Sequence, residues 1–203
     1  MGGTTKSGLG VQTISAGQLK GSARGALISA LFGSAWMFWA VVFSGHPTSV
    51  WFSMVTMPAA VLTAWAILRV RAVRHLTPSS DELAHWMRFR RFFWIDFGIE
   101  WGLGGIAVFA LYRFGRLDLI PQALGVIIGL HFLPFVRIFR APRYYWTGGL
   151  ILAAALGSLL IAPGHIRNIV GCSAIGLTLW ITCVAILCSN SSAALLPPPK
   201  EST

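Results

Sequence analysis

Long apolar runs without charge are the feature that most limits how this 203-residue chain can fold. Runs of about 18 or more apolar residues can cross a bilayer as α-helices. A membrane β-barrel would need alternating polar and apolar residues in strands of about 10, and stretches such as 150–161 show no such alternation. Only 11% of the residues are charged, compared with roughly 25% in soluble domains. The chain is therefore predicted to be an all-α integral membrane bundle.

Turn-forming residues divide the apolar sequence into six predicted transmembrane helices. The predicted spans are 26–43, 51–68, 92–112, 120–139, 147–162 and 168–188. The transmembrane helical domain thus covers 26–188, between a cytoplasmic N-terminal segment (1–25) and a disordered cytoplasmic tail (189–203) that contains three consecutive prolines. The first apolar run is longer than that of a typical signal peptide, so we predict that it is retained as the first helix.

The distribution of arginine and lysine predicts the orientation of the bundle. The net charge is +10, and the basic residues flank the apolar spans. They form no separate patch, which argues against nucleic acid as a partner. The second and fourth loops carry most of the arginines, whereas the first loop has none and the fifth has one. Because cytoplasmic loops carry excess positive charge, both termini are predicted to be cytoplasmic. The predicted location is the cell inner (plasma) membrane, with the lipid bilayer as partner.

The second loop contains a helix-start signal. Ser79 is followed three residues later by Glu82, which is the spacing of a capping box. In this motif each of the two side chains satisfies a backbone N–H group of the other residue. A helix is predicted to begin there and to continue through Trp86 into the third span.

Ionisable residues within two of the spans are the only hint of chemistry in the sequence. Asp96 and Glu100 lie on one face of the third span, and His131 lies in the fourth. Charged groups in hydrocarbon are costly and usually mark a pathway, a binding site or a polar helix contact. Counting about 1.5 Å per residue from the membrane boundaries puts Glu100 level with His131. The same count puts Asp96 level with Arg137, so two interhelical pairs are predicted, with Glu100 and His131 as the favoured one.

Glycines predict that the third and fourth spans approach each other closely. Gly98 and Gly102 form a GxxxG pair in the third span, and Gly125 and Gly129 form another in the fourth. Small residues at this spacing allow two helix backbones to come close within a membrane. We therefore expect the polar side chains to meet across a tight helix pair.

Two kinds of function fit this polar cluster, and a third fits less well. The first is a small transporter or channel-like protein that binds an ion or polar ligand at Glu100, His131, Asp96 and Arg137. The second is a non-catalytic accessory or assembly subunit, or a homo-oligomer, in which the same residues only hold helices together. A lipid-modifying enzyme is least favoured, because the sequence offers no convincing nucleophile or metal site. No catalytic residue, metal or cofactor is predicted, and the three cysteines are interpreted as packing residues.

Three stretches in the second half of the chain resemble a group of small uncharacterised bacterial multi-pass membrane proteins. These are residues 113–121, 126–134 and 137–148, and the last two follow a GLHFLPLARLF…P-x-YY-x-TG pattern. The chain departs from that pattern at 135–136, where it has Phe-Val in place of Leu-Ala. The resemblance implies a bacterial inner-membrane protein and draws attention to His131, and it implies no activity.

Overall fold

The structure is a computed structural model that describes residues 15–45, 48–139, 141–161 and 164–193. Within these residues every regular element is helical, which confirms the all-α prediction. A short 3-10 turn at Leu117–Leu119 precedes the fourth α-helix. The α-helices are Ala16–Phe43 (α1), Ser49–Val73 (α2), Ser80–Arg113 (α3), Ile120–Phe139 (α4), Arg143–Ser158 (α5) and His165–Ala193 (α6).

Five of these helices are long and apolar enough to cross a membrane, and α5 is the exception. It has 16 residues, or about 24 Å at 1.5 Å per residue, which is less than the hydrocarbon thickness of about 30 Å. The sequence predicts a span at 147–162, whereas α5 begins at Arg143 and ends at Ser158. It ends early because the backbone N–H groups of 159–161 each bond three residues back, as in a turn.

Two helices extend beyond the predicted spans. α1 begins at Ala16 because Ser15 and Gln18 form a capping box, in which each side chain accepts a hydrogen bond from the backbone N–H of the other. α6 continues to Ala193, into the predicted tail. Hydropathy marks where a helix can sit in lipid, whereas capping bonds mark where the helix itself begins. The remainder of the predicted termini, residues 1–14 and 194–203, lies outside the described residues.

The predicted capping box in the second loop is confirmed at the start of α3. The Ser79 hydroxyl accepts a hydrogen bond from the N–H of Glu82, and the Glu82 carboxylate accepts one from the N–H of Ser79 at 2.8 Å. α3 then continues for 34 residues, through the predicted short helix and into the third span. The Glu82 carboxylate also accepts a hydrogen bond from the N–H of Gly17 at 3.2 Å, which ties the start of α3 to the start of α1.

The helices lie side by side, each packing mainly against the next, in the order α2, α1, α6, α5, α4, α3. α1 and α6 approach most closely at two glycines. A Cβ atom on Gly33 would lie 3.0 Å from the carbonyl oxygen of Gly176. Ala26, early in α1, packs with Leu187, late in α6. The two helices are therefore antiparallel, and the start of α1 lies beside the end of α6.

One end of the bundle, the N-terminal face, contains the starts of α1, α3 and α5. Besides the bond from Gly17 to Glu82, the guanidinium of Arg143 at the start of α5 donates to the Ser22 hydroxyl of α1 at 3.2 Å. At the opposite end, Arg167 in the first turn of α6 donates to the carbonyl oxygen of Asp118 at 3.1 Å. Polar contacts thus connect the helix ends at both faces of an otherwise apolar bundle.

α3 lies at the edge of the row, and the predicted glycine contact between α3 and α4 is wrong. In the most apolar window of α3, 6% of the residues are buried, compared with 56% in α6. Cβ atoms on Gly98 or Gly102 would meet nothing within 4 Å. These glycines lie roughly 200–240° around the helix from Asp96, at 100° per residue, so they point away from α4.

Gly125 and Gly129 of α4 do allow a close approach, but to α5. A Cβ atom on Gly125 would lie 2.9 Å from the Cβ of Ala155. A Cβ atom on Gly129 would lie 2.7 Å from the Cγ of Leu152 and 3.1 Å from the carbonyl oxygen of Gly148. The tight helix pair is therefore α4–α5, and α4 turns a different face toward α3.

Candidate functional site

Three ionisable side chains meet where α3 packs against α4. Asp96 and Glu100 lie one turn apart on α3, and His131 lies between them on α4. The Nδ1 of His131 is 2.9 Å from the Oδ2 of Asp96, and its Nε2 is 3.4 Å from the Oε2 of Glu100. One imidazole thus contacts two carboxylates through its two nitrogens. We call these three residues the acidic seam.

The structure contains the predicted contact between Glu100 and His131, and it also brings Asp96 to the same imidazole. The depth count matches Asp96 with Arg137, whereas the Asp96 carboxylate contacts His131 at the shorter of the two distances. The side chain of Arg137 lies outside the described residues. The relative height of residues on α3 and α4 is set by the turn that connects the two helices, in which Gly115 adopts φ +65°. The depth count used the predicted membrane boundaries instead of this turn.

The side chains of the seam are partly buried, and two of their polar atoms lack a hydrogen bond. The side chains of His131, Glu100 and Asp96 are 12%, 18% and 24% exposed. Although Nδ1 and Oδ2 are 2.9 Å apart, both atoms are buried without a hydrogen bond of normal geometry. Among the described side chains, no lysine or arginine lies within 4.0 Å of either carboxylate. The histidine is therefore the one cationic partner that the described residues provide.

The charges of the seam do not balance. With both carboxylates ionised and the imidazole protonated, the three side chains carry a net charge of −1. One further proton or one monovalent cation would neutralise them. An uncompensated charge in a low-dielectric environment is costly. Within the described side chains, the seam therefore has one negative charge left to neutralise.

Aromatic rings pack around His131 on the side toward the N-terminal face. The ring of Phe135 meets the imidazole edge-on, with centroids 4.4 Å apart. Phe135 in turn stacks on Phe93 of α3 at 5.9 Å and meets Tyr144 of α5 at 6.1 Å. These contacts join three helices and hold the imidazole between the two carboxylates.

A second polar cluster, which the sequence analysis does not single out, lies at the opposite end of the bundle. Gln122 of α4 donates through Nε2 to Ser158 Oγ of α5 at 3.3 Å and to Asn168 Oδ1 of α6 at 3.1 Å. The three residues are 4%, 2% and 3% exposed. Gln122 and Asn168 stand near the predicted starts of their spans, where polar side chains are ordinary, so their positions carry no clear signal in the sequence.

An ion pair extends this cluster toward the end of the bundle. Arg167 Nη2 donates to the carboxylate of Asp118 as well as to its carbonyl oxygen. Arg167 is 5% exposed, and the pair joins the turn before α4 to the start of α6. We call the whole set the amide network: Asp118, Gln122, Ser158, Arg167 and Asn168.

Groups that could bind a metal ion, and the cysteine thiols, are the remaining side chains that could take part in a reaction. In the part of the chain that the structure describes, no three His, Cys, Asp or Glu side chains, those of the acidic seam included, form a preformed metal-ion site. Cys172 and Cys183 are buried and Cys188 is exposed, all as free thiols. The two buried cysteines belong to the apolar core between α6 and its neighbours.

Comparison with known proteins finds one family model that is similar to part of this chain. Residues 103–189 match the model of a family described as a family of unknown function, DUF7010. The match covers less than half of the chain. It contains His131 and the whole amide network, and it begins after Asp96 and Glu100. No curated protein and no solved structure matches the chain.

Proposed function

We propose that this chain is a multi-pass membrane protein that binds a proton or a small monovalent cation at the acidic seam, as a small transporter or channel-like protein. The observation that carries the proposal is that Asp96 and Glu100 share the single imidazole of His131. Neutralising the seam takes one more positive charge than its own side chains supply. Carboxylates and histidines within membrane helices commonly belong to ion pathways and proton relays.

The geometry supports proton exchange along the seam. His131 meets Asp96 through Nδ1 and Glu100 through Nε2. An imidazole can accept a proton on one nitrogen and release a proton from the other. A proton taken from one carboxylic acid is then handed to the other, over about 6 Å along α3. In this scheme His131 relays the proton, and the two carboxylates bind it on either side.

We also propose that all six helices cross the membrane. α5 is short, but polar contacts near both of its own ends join it to neighbouring helices. Near its start, Thr147 bonds to Thr182 of α6 at 2.9 Å, and at its end Ser158 bonds to Gln122 of α4. Six crossings put both termini on one side, in agreement with the antiparallel packing of α1 on α6. The arginine distribution favours the cytoplasm as that side, and the resemblance to small bacterial membrane proteins favours the bacterial inner membrane.

The test is cation-linked stability of the purified protein in lipid nanodiscs, with proton flux measured in liposomes. For the natural sequence, we expect the unfolding temperature to change with pH and with Na⁺ or K⁺ concentration, because a ligand that binds only the folded seam stabilises it. The double variant Asp96→Asn/Glu100→Gln and the variant His131→Asn should lose these responses. Glu82→Gln is the matched control, because it removes a carboxylate from α3 outside the apolar span.

The result separates binding from a purely structural contact. A structural seam also titrates, so the variants would change the pH dependence of its stability, but it predicts no proton flux and no specific response to Na⁺ or K⁺ in the natural sequence. If flux and the pH- and cation-dependent shifts are unchanged in both seam variants, the seam does not bind the cation and the proposed function is wrong. Glu82→Gln should keep the proton flux and the Na⁺ or K⁺ response of the natural sequence.

A second candidate function, a non-catalytic accessory or assembly subunit, is favoured by the exposure of α3. Large apolar side chains on this helix are open, with Trp101, Ile106 and Phe109 being 62%, 66% and 66% exposed. A partner helix, from another protein or from a second copy, would cover this side, and the seam would then only hold α3 in place. A monodisperse monomer that is stable without a partner would count against this function.

A further inference from the structure

The acidic seam has different walls toward its two ends. Toward the N-terminal face, next to His131 and up to one turn beyond it, lie the rings of Phe93, Phe132, Phe135 and Tyr144, which we call the aromatic plug. Phe135 stacks on Phe93 at 5.9 Å, and Phe132 stacks on Tyr144 at 6.0 Å. Phe132 and Phe135 are also in edge-to-face contact at 6.1 Å. The plug thus continues without a break from α3 through α4 to α5.

Toward the opposite end, an aliphatic contact joins α3 to α4. A Cβ atom on Gly104, one turn beyond Glu100, would lie 3.4 Å from the Cδ2 of Leu124, an ordinary van der Waals contact. No aromatic pair joins α3 to α4 on this side among the described residues. The seam is therefore closed by rings toward one face only.

We propose that the aromatic plug is a gate that separates the acidic seam from the N-terminal face, with Phe135 as its central residue and as a positioning residue for His131. This inference rests on the proposed function, because a gate has meaning only if the seam exchanges a cation. Apolar constrictions in channels act as gates by excluding water. Phe135 is nearer to the imidazole than Phe132, at 4.4 Å compared with 6.3 Å between centroids, so its displacement both opens the N-terminal side and frees His131 to turn.

The experiment compares proton flux into liposomes that contain the natural sequence, Phe135→Ala or Phe135→Leu. Leucine fills most of the volume without a ring, and it keeps the test valid if the alanine variant fails to fold. We expect Phe135→Ala to raise proton flux about tenfold, which corresponds to lowering a barrier by about 1.4 kcal/mol. The increase should disappear when Asp96→Asn and Glu100→Gln are added to the same chain. Phe38→Ala is the matched control, because Phe38 makes a similar ring contact at 6.3 Å to Phe52, outside the seam.

The outcomes distinguish failure of the gate from failure of the proposed function. Titration of His131, followed by NMR of histidine-labelled protein, shows whether the seam takes up protons. If His131 titrates in the natural sequence but neither Phe135 variant raises the flux, the plug is only packing and the gate is wrong. An increase that persists in the carboxylate-free chain, or that Phe38→Ala reproduces, would mean a general leak and would also overturn the gate. If His131 does not titrate and its substitution changes nothing, the proposed function itself fails.

Discussion

The two faces of α4 accommodate polar side chains in different ways. Toward α5 and α6, Gln122 bonds to an uncharged hydroxyl and an uncharged amide, all within a closed part of the core. Toward α3, His131 meets two carboxylates that remain partly exposed. The two residues are nine positions apart, which is about half a turn in angle after complete turns are removed. One helix therefore separates a neutral, enclosed network from an ionisable, partly open one.

The two faces of α4 also differ in how tightly they pack against their neighbours. The α4–α5 contact depends on glycines that leave no space for a Cβ atom, whereas Gly98, Gly102 and Gly105 of α3 face open space. A hydrogen-bonded network with no net change of charge can be enclosed tightly. A site that gains and loses positive charge needs access and room to adjust, and a helix at the edge of the row provides both. The comparison shows that loose packing at α3 is compatible with exchange at the seam.

The largest expected effect is loss of stability on breaking the enclosed network. Gln122→Leu removes the amide that donates to Asn168 and Ser158, which leaves the buried Oδ1 of Asn168 without this donor, and should destabilise the protein by about 2–3 kcal/mol. The loss should be independent of pH.

His131→Asn should destabilise the protein less, because interhelical polar contacts in membranes average about 0.6 kcal/mol. Unfolding in mild detergent with added denaturant measures both; a larger loss for His131→Asn would reverse the comparison.

A smaller effect on stability is expected when one methyl group is added to α4, and a matched methyl group on α3 serves as the control. Gly129→Ala places a Cβ atom against Leu152 and the carbonyl of Gly148, and should cost about 1–2 kcal/mol through overpacking. Gly102→Ala is the control of the same chemistry on α3, where a Cβ atom meets nothing within 4 Å. It should be neutral or stabilise the helix by up to about 1 kcal/mol. Thermal unfolding of the two variants side by side checks this, and equal losses would show that α3 is covered by a partner.

The smallest effect concerns the point at which α3 is tied to α1. Hydrogen bonding from the Ser15 side chain and from the backbone of Ser79 lowers the pKa of Glu82 below its ordinary value. Stability from this carboxylate is therefore fully present above the ordinary carboxyl pKa and is lost as pH falls through the lowered one. Glu82→Gln should be slightly less stable than the natural sequence at neutral pH, and the difference should vanish in acid. A difference that grows on acidification would contradict this sign.

Much of the fold could be predicted because lipid and backbone hydrogen bonding leave few choices. Apolar runs of sufficient length must be helical in a membrane, and the Ser79–Glu82 spacing marks a helix start by local bonds alone. The contact of Glu100 with His131 could also be expected, since depth follows from counting residues along a helix. Which helix packs against the glycines of α4 could not be predicted in the same way. The GxxxG spacing identifies a face of small residues, but it does not identify the helix that packs on that face.

By itself, the sequence determined the helical class, most of the spans and the presence of carboxylates and a histidine at membrane depth. These follow from local composition and from the fixed rise of a helix. The tertiary structure decided that Asp96 joins Glu100 on one imidazole, that the glycines of α4 face α5, and that Gln122, Ser158 and Asn168 meet. Each of these depends on the rotation and neighbours of whole helices, which are set by packing among side chains distant in sequence.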